Sequence, residues 1–403
     1  MSTRRARTAT DLQVPLDRSL TAFRAQVREF LGGALPRDRS AHRDPTDLTG
    51  WDEASERDLL RRAGAAGLLG VSLPTDLGGG GRPPSWQAVV GFEAAYHDAP
   101  LIDTAAVIVA PSVVAFGSAR QQAEVVPAAC AGTVNGCNAY TEAGAGSDLS
   151  NIATRADAVD GGFVLDGEKV LATGAHKSEW CITVARTDPA TTGRRGLTMF
   201  LVDPAAPGIE VTRHATANRW TLCTMRFDHA RTKGDAVLGA VGEGWRQLTG
   251  TLLGERSGAA WLGWATRNLE ALLDHCAGTN DRVLRDALAG LLTRWFVAAR
   301  QVERVLALQD AGTPSLVDSA MSKVLATELL QRIARVGASA LGPAVLTAPG
   351  WFGEALPEWF AYEQVERLHP TLSVGANEIQ RTTIANVGLG LPPEPRNGAG
   401  GSR

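Results

Sequence analysis

The stretch Asn138-Ala-Tyr-Thr-Glu-Ala-Gly-Ala-Gly-Ser-Asp carries the most informative chemistry in the chain. It combines the hydroxyls of Thr141 and Ser147 with three small residues at 144–146 that leave backbone N–H groups unshielded. A turn of that composition can seat a phosphate or a flavin, because glycine lets backbone approach an anion closely and reach positive φ. Gly144 and Gly146 supply that freedom, and Ser147 adds a donor at the mouth. The same residues also build plain tight loops, so the turn gains meaning only from the rest of the chain.

A second group with chemical potential is Glu255. Leu248, Leu252, Glu255, Ala259 and Leu262 follow one another at helical spacings of 4, 3, 4 and 3 residues. That spacing predicts a helix whose apolar stripe contains Glu255, turned to the interior rather than to water. Desolvation there would raise its pKa, as a general base for a weak carbon acid requires. The competing reading is that Glu255 only pairs with a helix neighbour or a buried arginine.

The elements that must position these groups fall into three parts. Helical periodicity runs over 20–135, with stripes Leu20, Phe23, Val27, Phe30-Leu31 and Leu59, Leu60, Ala63, Leu68. From about 136 to 240 short runs such as Gly162-Phe-Val-Leu-Asp-Gly, Trp180-Cys-Ile-Thr-Val-Ala-Arg and Leu197-Thr-Met-Phe-Leu-Val-Asp read as strands of a small β domain. Long helical patterns return over 241–391, while 1–15 and 392–403 read as frayed or flexible tails.

Composition limits the possible functions. With 403 residues, 44% of them hydrophobic and 21% charged, the chain can bury a large core. A formal charge of −3 and the lack of basic runs interleaved with aromatics give no footprint for nucleic acid. The apolar run from Ala105 to Phe116 is too short to span a bilayer and contains Pro111, so no membrane is expected. The five cysteines, Cys130, Cys137, Cys181, Cys223 and Cys276, lack metal-ligand spacing and suggest free buried thiols in a reducing compartment, with no metal. Met1-Ser-Thr-Arg-Arg-Ala-Arg is basic but followed by polar sequence, not by a signal-peptide apolar region, which points to the cytoplasm.

The 138–148 turn closely resembles the flavin-binding signature of the acyl-CoA dehydrogenases, and the resemblance runs from about Leu20 to Pro395. Phe23 to Arg37 resembles the family's opening helix. Gly67-Leu-Leu-Gly-Val-Ser-Leu-Pro with Gly78-Gly-Gly-Gly resembles its first-domain loop, and Glu168-Lys-Val-Leu-Ala-Thr-Gly the strand backing the flavin. Gly375-Ala-Asn-Glu-Ile-Gln-Arg-Thr-Thr-Ile-Ala and Leu389-Gly-Leu-Pro-Pro-Glu-Pro resemble its closing motif. The resemblance implies a mainly α fold with a central β domain: an N-terminal helical domain (1–135), a small β-barrel or sandwich domain (136–240), and a C-terminal four-helix bundle (241–391) that also mediates oligomerisation.

It also implies FAD and α,β-dehydrogenation of an acyl thioester, carried by CoA or an acyl carrier protein, with an electron-transfer-flavoprotein-like acceptor. By correspondence Tyr140, Thr141, Gly146, Ser147, Leu171 and Thr173 would hold the cofactor, Thr141 and Thr173 bonding the isoalloxazine edge. Leu171 replaces an aromatic wall, and His176, nearby in a loop, reads as a polar surface residue rather than a catalyst. Ser147, Arg256, Val374 and Gly375 would meet substrate, with Arg256 equally readable as a structural cation. The family's usual base precedes the closing-motif glycine, but Val374 stands there and cannot take a proton. A minority of members place the base in a Glu-Arg pair on the first long C-terminal helix, which corresponds to Glu255-Arg256.

The half-site that members lend to a neighbouring subunit is eroded. The loop from Asp274 to Leu288 lacks the family's Phe-Gly, Arg282 being a remnant, and Ser339-Ala-Leu-Gly-Pro has Pro343 in place of a glycine donor. This fits either a heteromer in which a paralogous subunit lends the missing half, or a homo-oligomer that binds flavin weakly or uses it otherwise. With only four lysines among 40 basic residues the composition favours a high-GC, actinobacterial source and a catabolic or secondary-metabolic role. Three readings follow: a flavin dehydrogenase, a non-catalytic partner subunit, or a repurposed oxygenase-like flavin enzyme. Trp351 and Trp359 allow a pocket for a large acyl group but suit a core or interface equally.

Overall fold

The computed structural model describes residues 18–35, 51–102, 104–216, 221–255, 257–347 and 355–392, without the side chains of 18 and 252–255. The expectations for Arg256, Trp351 and nearly all of both tails therefore lie outside the described residues, as does the orientation of the Glu255 side chain.

The N-terminal helices are α1 (Arg18–Ala34), α2 (Glu53–Ala65), α3 (Pro84–His97), the short α4 (Ala105–Ile108) and α5 (Ala110–Phe116), and α6 (Ala119–Cys130). Leu20, Phe23, Val27 and Leu31 of α1 and Leu59, Leu60 and Ala63 of α2 are buried, as their spacing requires. Asp52 caps α2 through Ser55 N, and Ser118 with Gln121 forms a capping box on α6. Pro111, in the first turn of α5, splits the apolar run into two short helices.

Seven strands follow: β1 (Gly136–Ala139), β2 (Arg155–Val159), β3 (Gly162–Thr173), β4 (Trp180–Arg186), β5 (Leu197–Val202), β6 (Ile209–Ala215) and β7 (Thr221–Lys233). They form one sheet in the order β1-β4-β2-β3-β7-β6, with β5 pairing antiparallel to β4. β1 runs parallel to β4, and β3 pairs antiparallel with β2 and β7. All five cysteines are free and buried.

The C-terminal part holds α7 (Gly244–Glu255), α8 (Ala259–His275), α9 (Arg282–Asp310), α10 (Leu316–Leu341), α11 (Leu356–Glu366), α12 (His369–Leu372) and α13 (Asn377–Thr383). Four of these, α8 to α11, share one apolar core around Leu262, Leu269, Trp295, Leu330 and Phe360. Phe92 of α3 enters that core, so α3 joins the first and last parts of the chain. Trp359 is a core residue whose Nε1 donates to Asn268 Oδ1 at 2.8 Å.

One expectation is corrected. Leu248, Glu255 and Leu262 do not share a continuous helix: α7 stops at Glu255, Gly258 takes φ +86°, and α8 starts afresh at Ala259. A left-handed glycine ends a helix cheaply, and here a Cβ at Gly258 would lie 2.3 Å from Ser322 Oγ. Periodicity alone cannot register such a break.

Candidate active site

The 138–148 turn leaves the sheet at the end of β1, where Thr183 Oγ1 donates to Ala139 O at 2.8 Å. The turn closes on itself, Ala145 N donating to Glu142 O at 3.0 Å and Glu142 N to Ala145 O at 3.2 Å. Beyond it Asp148 is occupied internally, accepting from Ser150 N, Ser150 Oγ and Asn151 Nδ2. Gly144 and Gly146 do not adopt positive φ, so that expectation fails: two short backbone bonds shape the turn without left-handed residues. Close approach is nevertheless open, since a Cβ at either glycine would meet nothing within 4 Å.

Beneath the turn lies a buried ion pair that sequence spacing did not reveal. Lys169 Nζ donates to Glu142 Oε1 at 2.7 Å and to Tyr140 O at 3.3 Å, with Lys169 wholly buried. Glu142 also accepts from Ala153 N at 2.7 Å and Thr154 N at 3.0 Å. Burial pulls the Lys169 ammonium down to about 8, the Glu142 carboxylate holding it up against that. Burial pushes the Glu142 carboxyl up, but Lys169 and the surrounding donors outweigh it and keep it below its ordinary value. Both residues lie inside motifs that the sequence singles out, yet only the docking of the turn on β3 brings them together.

The same contact brings together three of the predicted residues, Thr141, Leu171 and Thr173. Val170 N donates to Thr141 O at 2.9 Å, which lays the turn against β3 beside Leu171 and Thr173. Between Lys169 and Ala172 the β3–β7 register shifts, and Leu171 sits in this bulge at φ +58°, with 60% of its surface exposed. Thr141 and Thr173 are half-buried, Tyr140 is buried, and Gly146 and Ser147 are exposed. An exposed apolar side chain, two half-buried hydroxyls and an uncovered glycine turn thus lie around the Val170–Thr141 contact. His176 is half-buried, not a plain surface residue: its Nδ1 lies 3.4 Å from Cys223 Sγ. Glu56 of α2 accepts from Lys177 Nζ at 2.5 Å and Arg57 donates to Glu179 at 3.0 Å, fixing the loop after β3.

A second group gathers on α10. Ser322 Oγ donates to Ser257 O at 2.9 Å, next to the Glu255-Arg256 pair. Lys323 Nζ, wholly buried, donates to Asn377 Oδ1 at 2.7 Å and Thr371 O at 3.2 Å, on either side of Val374 and Gly375. Val374 and Gly375 are half-buried at φ +53° and +80°, and Gly375 O accepts from Gln380 Nε2 at 3.1 Å. A β-branched residue at positive φ is an outlier. His369, half-buried, is drawn down to about 4 by desolvation, with Arg367 and Lys323 adding to it. Arg367 bonds Glu363 at 2.6 and 2.7 Å, and Glu363 accepts from Asn268. α7 packs on β5 and α5 and so links this group to the sheet.

The segments around Arg282 and Ser339–Pro343 are built from ordinary helix-end contacts. Arg282 opens α9 behind an Asp281 cap, and Ser339 Oγ turns back to Arg335 O at the end of α10. Gly342 and Pro343 begin a short 3-10 turn.

Three family models match nearly the whole chain: acyl-CoA dehydrogenase N-terminal domain over 18–133, middle domain over 137–230 and C-terminal domain over 242–389. Acyl-CoA dehydrogenase IpdE1 of Mycobacterium tuberculosis is 32% identical over 93% of this chain and 98% of its own length. L-prolyl-[peptidyl-carrier protein] dehydrogenase of Pseudomonas fluorescens is 29% identical over 80% of this chain and 87% of its own. The solved Tcur3481-Tcur3483 steroid ACAD superposes with a TM-score of 0.86 at 24% identity, covering 95% of this chain and all of that one.

Proposed function

The chain belongs to the acyl-CoA dehydrogenase family, flavin oxidoreductases acting on CH–CH bonds, and on that premise we propose that it oxidises the α,β-bond of an acyl thioester with FAD. The observation that carries this reading is the docking of the Thr141 turn on β3, Val170 N donating to Thr141 O next to Leu171 and the Lys169–Glu142 pair. FAD would supply the hydride acceptor. The hydroxyls of Thr141 and Thr173 would hydrogen-bond the ring edge, Leu171 would cover its face, and Ser147 and Gly146 would meet the cofactor chain or the thioester tail. Glu255 would take the α-proton, since Val374 occupies the usual base position; Arg256 would orient substrate or helix, and Val374 and Gly375 would line it. The carrier is CoA or an acyl carrier protein, a choice on which the relatives' names differ.

The assembly we favour is a heteromer with a paralogous subunit. Phe296 and Val297 on α9 are 57% and 51% exposed, and Val387, Leu389 and Leu391 add an apolar C-terminal strip. Apolar surface of this kind marks a contact face. The eroded segment near Arg282 and Pro343 then needs a partner that supplies the missing half, and the structural neighbour's name joins two components.

Purified protein, alone and co-expressed with a paralogue, tests both parts. A dehydrogenase is yellow and is bleached without oxygen by an acyl thioester, giving the enoyl product; a non-catalytic subunit is colourless or unbleached, and an oxygenase turns over only with oxygen. Full flavin occupancy in a homo-oligomer of this chain alone would overturn the heteromer.

A further inference from the structure

We propose that Ser322 and Lys323, consecutive on α10, form a positioning clamp that fixes the broken α7–α8 junction relative to the Val374–Gly375 loop. The two segments are far apart in the chain, and each carries one of the two positions at which the family resemblance leads one to look for a base. Ser322 Oγ holds Ser257 O at 2.9 Å, and its oxygen fills the space that a Cβ on Gly258 would need. Lys323 Nζ holds Thr371 O at 3.2 Å and Asn377 Oδ1 at 2.7 Å, thereby bracketing the loop. Asn377 is itself locked, its Nδ2 donating to Thr327 Oγ1 at 3.2 Å one turn along the same helix.

Three features make this more than packing. Lys323 is wholly buried, and a buried ammonium costs desolvation that a methionine of similar shape would avoid. Nζ directs protons to oxygens at both ends of one short loop, which pins its length as well as its position. Val374 is held at φ +53°, a conformation that its own side chain disfavours and that surrounding contacts must impose. Adjacent residues of a 26-residue helix cannot move independently, so the separation of the two segments is set by α10. Its purpose, keeping a substrate α-carbon between them, rests on the dehydrogenase reading; its geometry does not.

Hydrogen exchange on the intact protein tests the clamp without any substrate. Lys323→Met keeps the shape and removes the donors; amides of 371–377 should exchange about tenfold faster or more, while β3 and β4 stay at wild-type rates. Thr266→Val, which removes the acceptor of Trp295 Nε1 in the same bundle, is the control for general destabilisation. Equal acceleration of 371–377 in the two variants, or none in Lys323→Met, overturns the proposal. Should Lys323→Met not fold, Ser322→Ala carries the test through 257–260, where unchanged exchange overturns it likewise. Anaerobic flavin bleaching by butyryl-CoA and octanoyl-CoA is the second readout: the clamp predicts a lower maximal rate with flavin content unchanged. If neither thioester bleaches the wild type, the dehydrogenase reading suffers while exchange still decides the clamp.

Discussion

Lys169 Nζ lies 2.7 Å from Glu142 Oε1, and the pair joins the two best-kept motifs of the chain beneath the glycine turn. Both residues are buried, whereas Leu171 is exposed and Thr141 half-buried. The ion pair therefore acts on the site through backbone: Lys169 also holds Tyr140 O, and Glu142 holds the N–H groups of Ala153 and Thr154.

Removing one partner leaves the other charged and buried. Lys169→Met should destabilise the fold by about 3–5 kcal/mol, and Lys169→Met with Glu142→Gln should recover much of that. Denaturant melts of the two variants check this; a loss under about 1 kcal/mol for the single change would show that solvent reaches Glu142.

Acid stability should carry the signature of His369. Its folded value near 4 lies below the 6.5 of an exposed histidine, so the unfolded chain binds a proton that the folded chain refuses. The contribution is intact above about pH 6.5 and declines as pH falls toward 4, by about 3 kcal/mol in all. Glu93 titrates in a lower window: burial opposes its ionisation, but His97, Arg24 and Arg28 prevail and hold it at about 2, so its contribution is lost only below 4.5. Thermal melts between pH 4.5 and 6.5 should flatten in His369→Gln, and an unchanged slope would assign the acid limb to other groups.

The backbone at Val374 gives a stabilising substitution. Left-handed φ costs a non-glycine residue about 1–3 kcal/mol, of which glycine recovers all but its extra unfolded-state entropy. Val374→Gly is expected to gain about 1 kcal/mol in a denaturant melt, unless the lost isopropyl packing exceeds the strain.

Glu255→Gln is expected to abolish anaerobic flavin reduction while flavin content stays at the wild-type level. A rate within twofold of wild type would remove Glu255 from the chemistry and direct attention to the non-catalytic reading.

Architecture was legible because periodicity and burial are local: the α1 and α2 stripes and the runs that became β4 and β5 fell where their patterns placed them. The turn around Thr141 was legible from composition, although its glycines reach openness without positive φ. What escaped was non-local. Glu142 with Lys169, and Lys323 with Asn377, meet only after strands pair or helices dock. The break at Gly258 escaped for a different reason, since one left-handed glycine interrupts a helix without disturbing the apolar spacing on either side.

The bulge at Leu171 has a consequence for how the subunit behaves before it is loaded. It displays a bare isobutyl group on a kinked strand, beside a turn with nothing above its glycines. Water wets that surface poorly, and a flat aromatic guest would cover it. If this face seats the flavin as proposed, loading should shield Leu171 from solvent, and protease or hydrogen-exchange protection of 169–173 then becomes a gauge of how full the site is.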